Sequence, residues 1–401
     1  MRVLIALVLV LLTPWICGCA VDMRNPIPNA IAANRATLPN MSGVRAWADE
    51  VPTDFASEIR RRLPSMPRLA QSSSRIHGRP LVEILALSGG GGDGAFGAGF
   101  LAGWTARGDR PSFEVVTGVS AGAIIAPFAF LGPRYDRTLR EIWTQYTTNQ
   151  IITAQVLPGL IAGSALADTA PLAQLIAKYV NARLLREIAH EYRRGRILMV
   201  GTTNIDAQRP VVWNMGEIAA SGHPDSLELF RKVILASAAI PGAFPPVGIQ
   251  VQVDGKRYEE MHVDGGTTRE VFISPVKAPL KTFDALYDAP PIRRIYLIKN
   301  GKLSPEYEPV PKQTIPLSVR AIFTLIKSQS QSEIAQIWRT AKDGGADFNL
   351  VSVPPTFTKK PNEAFDSNYQ SALYEVGYTM GRSGRAWVKR PPGIRNGRVV
   401  H

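Results

Sequence analysis

"EILALSGGGGDGAFGAGFLAGW" runs from Glu83 to Trp104. An apolar run of strand length meets a glycine cluster, and a second apolar segment of helical length follows. Glycine costs backbone entropy, so a cluster of this density answers a need. Gly89, Gly91 and Gly94 satisfy the GxGxxG spacing. A dinucleotide site would want an acid at the end of the next strand, roughly 20 residues on. Glu114 has the spacing but begins its strand. A P-loop would want Lys-Ser/Thr after the glycines, and none is there. A flexible linker does not fit either, because strand and helix patterns flank the loop directly. What remains is a rigid loop whose N–H groups are aimed at a transient anion.

A second glycine motif supplies a candidate nucleophile. "GVSAG", Gly118 to Gly122, follows the apolar "FEVVT" and precedes "AIIA". That order is strand, sharp turn, helix, with Ser120 at the turn and at a helix N-terminus. A serine needs a base. The histidines are His77, His190, His223, His262 and His401, and none completes a regular Ser–acid–His order convincingly. His262 reads first as an ordinary strand histidine, with a role as base the alternative. Asp264, in "HVDGG", ends a strand before Gly265 and Gly266, where its carboxylate is free to take the Ser120 proton directly.

The wider chain alternates strands and helices. Strands are expected at 81–88, 113–120, 196–205, 209–215, up to the "MHVDGG" segment, 293–300 and 348–353. Helices are expected at 95–106, 121–132 (kinked near Pro127), 136–146, 170–194, 226–237, 317–341 and 368–383. Gly97, Gly99 and Gly103 in the first of these imply close packing. The alternation predicts an α/β fold with a mostly parallel sheet covered on both faces. Sites in such sheets form at the carboxyl ends of strands, where both glycine motifs sit.

"LALSGGGGDGAFGAGFL", "GVSAGA", "ASAAIPGAFPPV" (Ala236 to Val247) and "VDGG", in that order, resemble the patatin-like phospholipase family. The resemblance implies a three-layer α/β/α sandwich and a Ser–Asp dyad, with Ser120 as nucleophile and Asp264 as base. It places Gly90 and Gly91, with Gly92 nearby, on the amides that bind the oxyanion. The final "FDSNYQSALYEVGYTMGRSG" is similar to the closing helix of bacterial members. The implied activity is that of a phospholipase A or lysophospholipase. A thioesterase or transacylase on the same dyad, or a lipid-binding protein without catalysis, are the alternatives. One position departs: the family usually carries Arg or Lys where this chain has Asp93. Asp93 is expected to cap the following helix; the alternative points its carboxylate at the oxyanion. "QVLPGLIAGSALA", Gln155 to Ala167, reads as a lid or acyl-chain wall, or equally as an ordinary connection.

Of 401 residues 45% are apolar and 20% charged, a globular composition, and the formal net charge is +13. No basic run is interleaved with regularly spaced aromatics, which argues against nucleic acid; contact with anionic lipid or lipopolysaccharide, or a merely solvated basic surface, are the readings that remain. Arg2, the apolar stretch Val3 to Ile16 and "CGCA" mark an export signal. Ile16-Cys17-Gly18-Cys19 resembles a bacterial lipobox, with Cys19 modified and Ala20 resembling an outer-membrane sorting residue. The expected organisation is a signal peptide at 1–18, a tether at 19–79, a catalytic domain at 80–390 and a tail at 391–401. Expected partners are a phospholipid or lysophospholipid substrate and the membrane, through the anchor. No metal or other cofactor is expected.

Overall fold

The protein is described by a computed structural model over residues 26–41, 43–50, 74–154, 167–274, 278–395 and 398–399. Cys19, the helical spacing of Phe55, Ile59 and Leu63, and nearly all of the 155–167 stretch lie outside these residues.

The central sheet contains, in chain order, β1 (Arg45–Trp47), β2 (Arg79–Leu87), β3 (Val115–Val119), β4 (Ile197–Asn204), β5 (Arg209–Asn214), β6 (Val247–Val253), β7 (Lys256–Asp264), β8 (Ile292–Lys299) and β9 (Asp347–Ser352). The lateral order is β1-β5-β4-β3-β2-β8-β9. From β4 to β9 every pairing is parallel, while β5 and β1 add an antiparallel margin. The main helices are α1 (Ala30–Arg35), α2 (Gly94–Arg107), α3 (Ala121–Leu131), α4 (Asp136–Thr144), α5 (Ala170–Tyr179), α6 (Ala182–Arg193), α7 (Ser226–Ser237), α8 (Thr314–Asp343) and α9 (Ser367–Ser383).

Strand alternation divides the core in two. Leu85 and Leu87 of β2 face a layer that includes Phe96, Phe100, Phe128, Phe230 and Leu373. Val82, Ile84 and Ala86 face the other way, onto Val271, Phe272 and the C-terminal half of α8 through Ile334, Trp338 and Ala341. The expected α/β fold with a mostly parallel sheet and flanking helices is therefore present, with one layer much thinner than the other.

Two details differ from the sequence reading. The helix expected over 170–194 is two helices, because Asn181 turns extended and its Oδ1 accepts from the amides of Arg183 and Leu184 at 3.0 and 3.1 Å. The strand ending at Asp264 is half of a hairpin, closed at Asp254-Gly255, where both residues have positive φ (49° and 78°). α3 runs through Pro127 without ending.

The glycine-rich helix α2 packs against α9 backbone to backbone. A Cβ at Gly99 would lie 2.0 Å from the Tyr374 carbonyl oxygen, and one at Gly377 would lie 2.2 Å from that of Phe96. Residues 26–50 also join the body. β1 extends the sheet edge, and Ala32 and Ala36 pack on Val251 and Val253 of β6.

Candidate active site

Two strands end head to head along one edge of β4. β3 pairs with β4 up to Val119 opposite Gly201. β7 arrives from the opposite direction and ends with Asp264 opposite Thr202, the next residue of β4. Ser120, which follows β3, is thereby brought against Asp264: the two border one cleft, and the Ser120 side chain favours the ionised form of the Asp264 carboxyl. Sequence positions 144 apart meet because β4 pairs with both strands in turn.

The turn holding Ser120 is strained. Its φ of 54° and ψ of −122° lie where non-glycine residues are rare. The flanking glycines permit it: a Cβ at Gly118 would sit 2.3 Å from the Gly122 oxygen, and one at Gly122 would sit 2.3 Å from that of Leu87. The amide of Ser120 donates to Ser237 Oγ at 2.9 Å, and that hydroxyl donates to the Gly201 carbonyl at 2.6 Å. Ser237 thus pins the elbow to β4. It lies inside the quoted "ASAAIPGAFPPV" stretch, the signal that could have singled it out.

Asp264 is buried. Its Oδ1 accepts from the Gly266 amide at 2.7 Å. Burial pushes its carboxyl up to about 7, with the nearby Glu270 charge adding to the rise and the Ser120 side chain and the Gly266 amide opposing it. A carboxyl held there is suited to exchanging a proton near neutral pH.

The glycine loop passes over the same strand ends. Gly90 has φ 155°, and a Cβ on it would meet the Asn300 oxygen at 1.9 Å; Gly91 has φ 52°. Asn300 braces the loop: its Nδ2 donates to the Ser88 carbonyl at 2.7 Å and its Oδ1 accepts from the Gly97 amide at 3.1 Å. Among the described residues the amides of Gly90, Gly91 and Gly92 donate to no backbone carbonyl, whereas Gly89 donates to Glu270 at 3.4 Å. A Cβ on Gly94 would meet the Trp143 ring at 2.2 Å. Beneath the loop, Lys299 pairs with Glu270 at 2.7 Å in a buried contact. The Glu270 carboxylate is wedged where a Cβ at Gly89 or Gly266 would fall, at 2.8 and 2.6 Å. Neither member of this pair was anticipated.

Asp93 does not cap α2. It ends a tight turn, Gly91–Asp93, with φ −70° and ψ −6°, and no cap bond forms. An N-cap side chain reaches back to the helix from an extended backbone, which this turn denies it. Its carboxylate instead accepts from the Tyr369 hydroxyl of α9 at 2.7 Å. Burial pushes Asp93 up to about 6; the Tyr369 bond opposes the rise, Glu306 adds to it, and Lys299 and Lys302 oppose it.

His262 shares the face of Asp264 but serves another network. It is fully buried, with Nδ1 3.0 Å from Thr202 Oγ1 and Nε2 3.3 Å from Glu260 Oε2. Glu260 also binds Arg45, whose Nη2 donates at 3.0 Å to Oε1. Burial would raise Glu260, yet the His262 bond and the Arg45 guanidinium hold it at about 2.

Ser120 opens onto two spaces. One is apolar, walled by Ile124, Phe128, Trp143, Leu172, Ile176 and Ile234. The other is a polar cleft bordered by Asp93, Asp264, Lys299, Lys302, Glu306 and Lys327. Among the described residues no cluster of three or more His, Cys, Asp and Glu gathers as a metal site.

Residues 85–277 match the family model for patatin-like phospholipase. This segment is similar to patatin-like phospholipase domains. No curated protein matches the chain. Among solved structures, VipD from Legionella pneumophila aligns with a TM-score of 0.37 and 11% identity, over 75% of this chain and 66% of that one. Full-length SpcU in complex with full-length ExoU, from the type III secretion system of Pseudomonas aeruginosa, aligns with a TM-score of 0.30 and 15% identity, over 76% of this chain and 52% of that one. The chain therefore spans less than two thirds of either. The patatin-like match contains Ser120, Asp264 and both glycine motifs. Lys299, Asn300 and Tyr369, which brace or border the loop, lie beyond it.

Proposed function

We propose that the protein is a carboxylic ester hydrolase of lipids, of phospholipase A or lysophospholipase type. The observation that carries this reading is the position of Ser120. It shares a cleft with Asp264 and stands where that polar cleft meets an apolar cavity. An acyl chain fits the first space and a head group the second.

Ser120 Oγ attacks the ester carbonyl carbon, and Asp264 takes its proton. The oxyanion is received by the amides of Gly90, Gly91 and Gly92, each such donor typically contributing about 3 kcal/mol. The intermediate collapses, and Asp264 returns the proton to the departing alcohol. Water then attacks the acyl-enzyme, Asp264 takes the water proton, and the fatty acid leaves as Ser120 recovers its hydrogen. In the same proposal the protein is exported and held at the outer membrane through an acylated Cys19.

Hydrolysis of p-nitrophenyl esters and of lysophospholipid tests the reading. Ser120→Ala and Asp264→Asn each lower kcat by about a thousandfold or more, since members of a cooperating unit fail together. Turnover of Asp264→Asn near that of the parent would overturn the dyad.

A further inference from the structure

The N-terminal half of α8 is built inside out. From Thr314 to Gln329 none of its described side chains is buried, and burial begins at Ser330. Yet the stretch Pro316 to Ile326, "PLSVRAIFTLI", carries a single charge. Leu317 is 49% exposed, Phe323 47% and Leu325 69%, and Val319 is exposed as well. A helix this apolar normally turns its apolar stripe to the core. Here the helix is tied to the body through its polar residues. Arg320 Nη2 donates to the Glu306 carbonyl at 2.6 Å and Nη1 to the Glu308 carboxylate at 3.3 Å. Lys327 donates to Glu306 at 3.0 Å, and Gln331 to the Leu303 carbonyl at 2.7 Å. On the connection between β8 and α8, Tyr307 is 90% exposed.

We propose that this half-helix, with Tyr307, is the surface by which the protein lies on an anionic lipid bilayer. Three observations select a lipid surface. Between Lys312 and Ser332 the chain carries Lys312, Arg320 and Lys327 and no acid, in a protein of net charge +13. The acids facing Arg320 and Lys327 belong to the connection before α8, where Glu308 pairs with Arg320 and Glu306 with Lys327. Phe323 and Ile326 of the same segment border the cleft that opens on Ser120, so insertion brings the cleft mouth to the lipid. Among the described residues no helix is long and apolar enough to cross a membrane, so the segment rests in the interface. The consequence for turnover rests on the lipid-hydrolase reading; binding does not.

The full chain carrying Ser120→Ala, to prevent hydrolysis, and Cys19→Ala, to remove the proposed anchor, is floated with vesicles of phosphatidylglycerol and phosphatidylcholine. It binds these more tightly than pure phosphatidylcholine, and salt weakens binding. Adding Leu317→Asp and Leu325→Asp lowers the affinity about tenfold or more, with an unchanged melting temperature. With Ser120 restored, the same pair of substitutions leaves hydrolysis of monomeric p-nitrophenyl butyrate unchanged and slows hydrolysis of vesicle phospholipid. Absent binding, equal binding by the doubly substituted protein, or a dimer that the substitutions split would overturn the proposal. The last result would make the face a contact between copies. Loss of ester hydrolysis in the unsubstituted protein would instead fault the catalytic reading and leave the binding result standing.

Discussion

Tyr369 donates its phenolic hydrogen to the Asp93 carboxylate across 2.7 Å, joining the last long helix to the glycine loop. The contact holds a half-buried acid whose carboxyl is pushed up to about 6. Because the folded state holds that proton more tightly than the unfolded chain, stability from Asp93 is fully present below about 4 and is lost as pH rises through about 6. Tyr369→Phe removes the donor and lowers stability by about 1–2 kcal/mol. The loss is greater at pH 8, where the unpaired carboxylate is charged, than at pH 5. Asp93→Asn keeps an acceptor for Tyr369 and sheds the charge, so it is more stable than the parent at pH 8 and gains little at pH 5. Denaturant titrations at both pH values check this; equal losses for Tyr369→Phe at pH 5 and pH 8 would contradict it.

Asp264 gives a second pH signature. Its carboxyl lies at about 7, and the carboxylate is the form that accepts a proton. The rate constant kcat/KM therefore climbs with pH to a plateau above 7 and is about a hundredfold lower at pH 5. Stability runs the other way, since native Asp264 binds its proton more tightly than the unfolded chain, and its contribution fades between about pH 4 and pH 7. Asp264→Asn therefore melts above the parent at pH 8, by about 4 °C or more, and gains less at pH 5. A flat rate profile from pH 5 to pH 8 would remove Asp264 from the role of base.

Gly99→Ala tests the contact between α2 and α9. The new methyl would be placed 2.0 Å from the Tyr374 carbonyl, an atom of helix backbone with no rotamer to yield. The substitution is expected to cost about 3 kcal/mol or more, although alanine favours helix over glycine. A change under about 1 kcal/mol in chemical denaturation would mean the helices part easily.

Cys19→Ala tests the proposed anchor. The acylated protein fractionates with membranes, because stable attachment takes two or more chains. The substituted protein stays unprocessed or leaves the membrane fraction. Mass spectrometry of the mature N-terminus decides the point directly; a terminus without fatty acid would leave an ordinary export signal.

What was legible in the sequence followed from local pattern. β2 reads as a strand because nearly every residue of "LVEILAL" is apolar, as burial on both faces requires. Ser120 was legible because strand, elbow and helix are consecutive. Its meeting with Asp264 had no local signature, for it depends on β4 pairing first with β3 and then with β7. The β6–β7 hairpin was legible in principle, since Asp254-Gly255 between "VQV" and "KRYEEM" is a strong turn signal. Asp93 misled because capping was inferred from its place before a helix, whereas the tight turn on its own backbone set where its side chain went. The Lys299–Glu270 pair joins residues 29 apart that carry no mark of each other.

Arg45 reaches Glu260, Glu260 reaches His262, and β7 continues two residues on to Asp264. The stretch before residue 50 therefore acts as a counter-ion to the strand that delivers the acid. A recombinant fragment trimmed to start at the first strand of the family match would leave Glu260 charged, enclosed and without its guanidinium. That vacancy ordinarily costs about 3–5 kcal/mol, enough to cripple a marginally stable fold. An engineered form of this protein therefore needs the segment that carries Arg45, well upstream of the glycine loop, and discarding it would weaken the bed on which Asp264 rests.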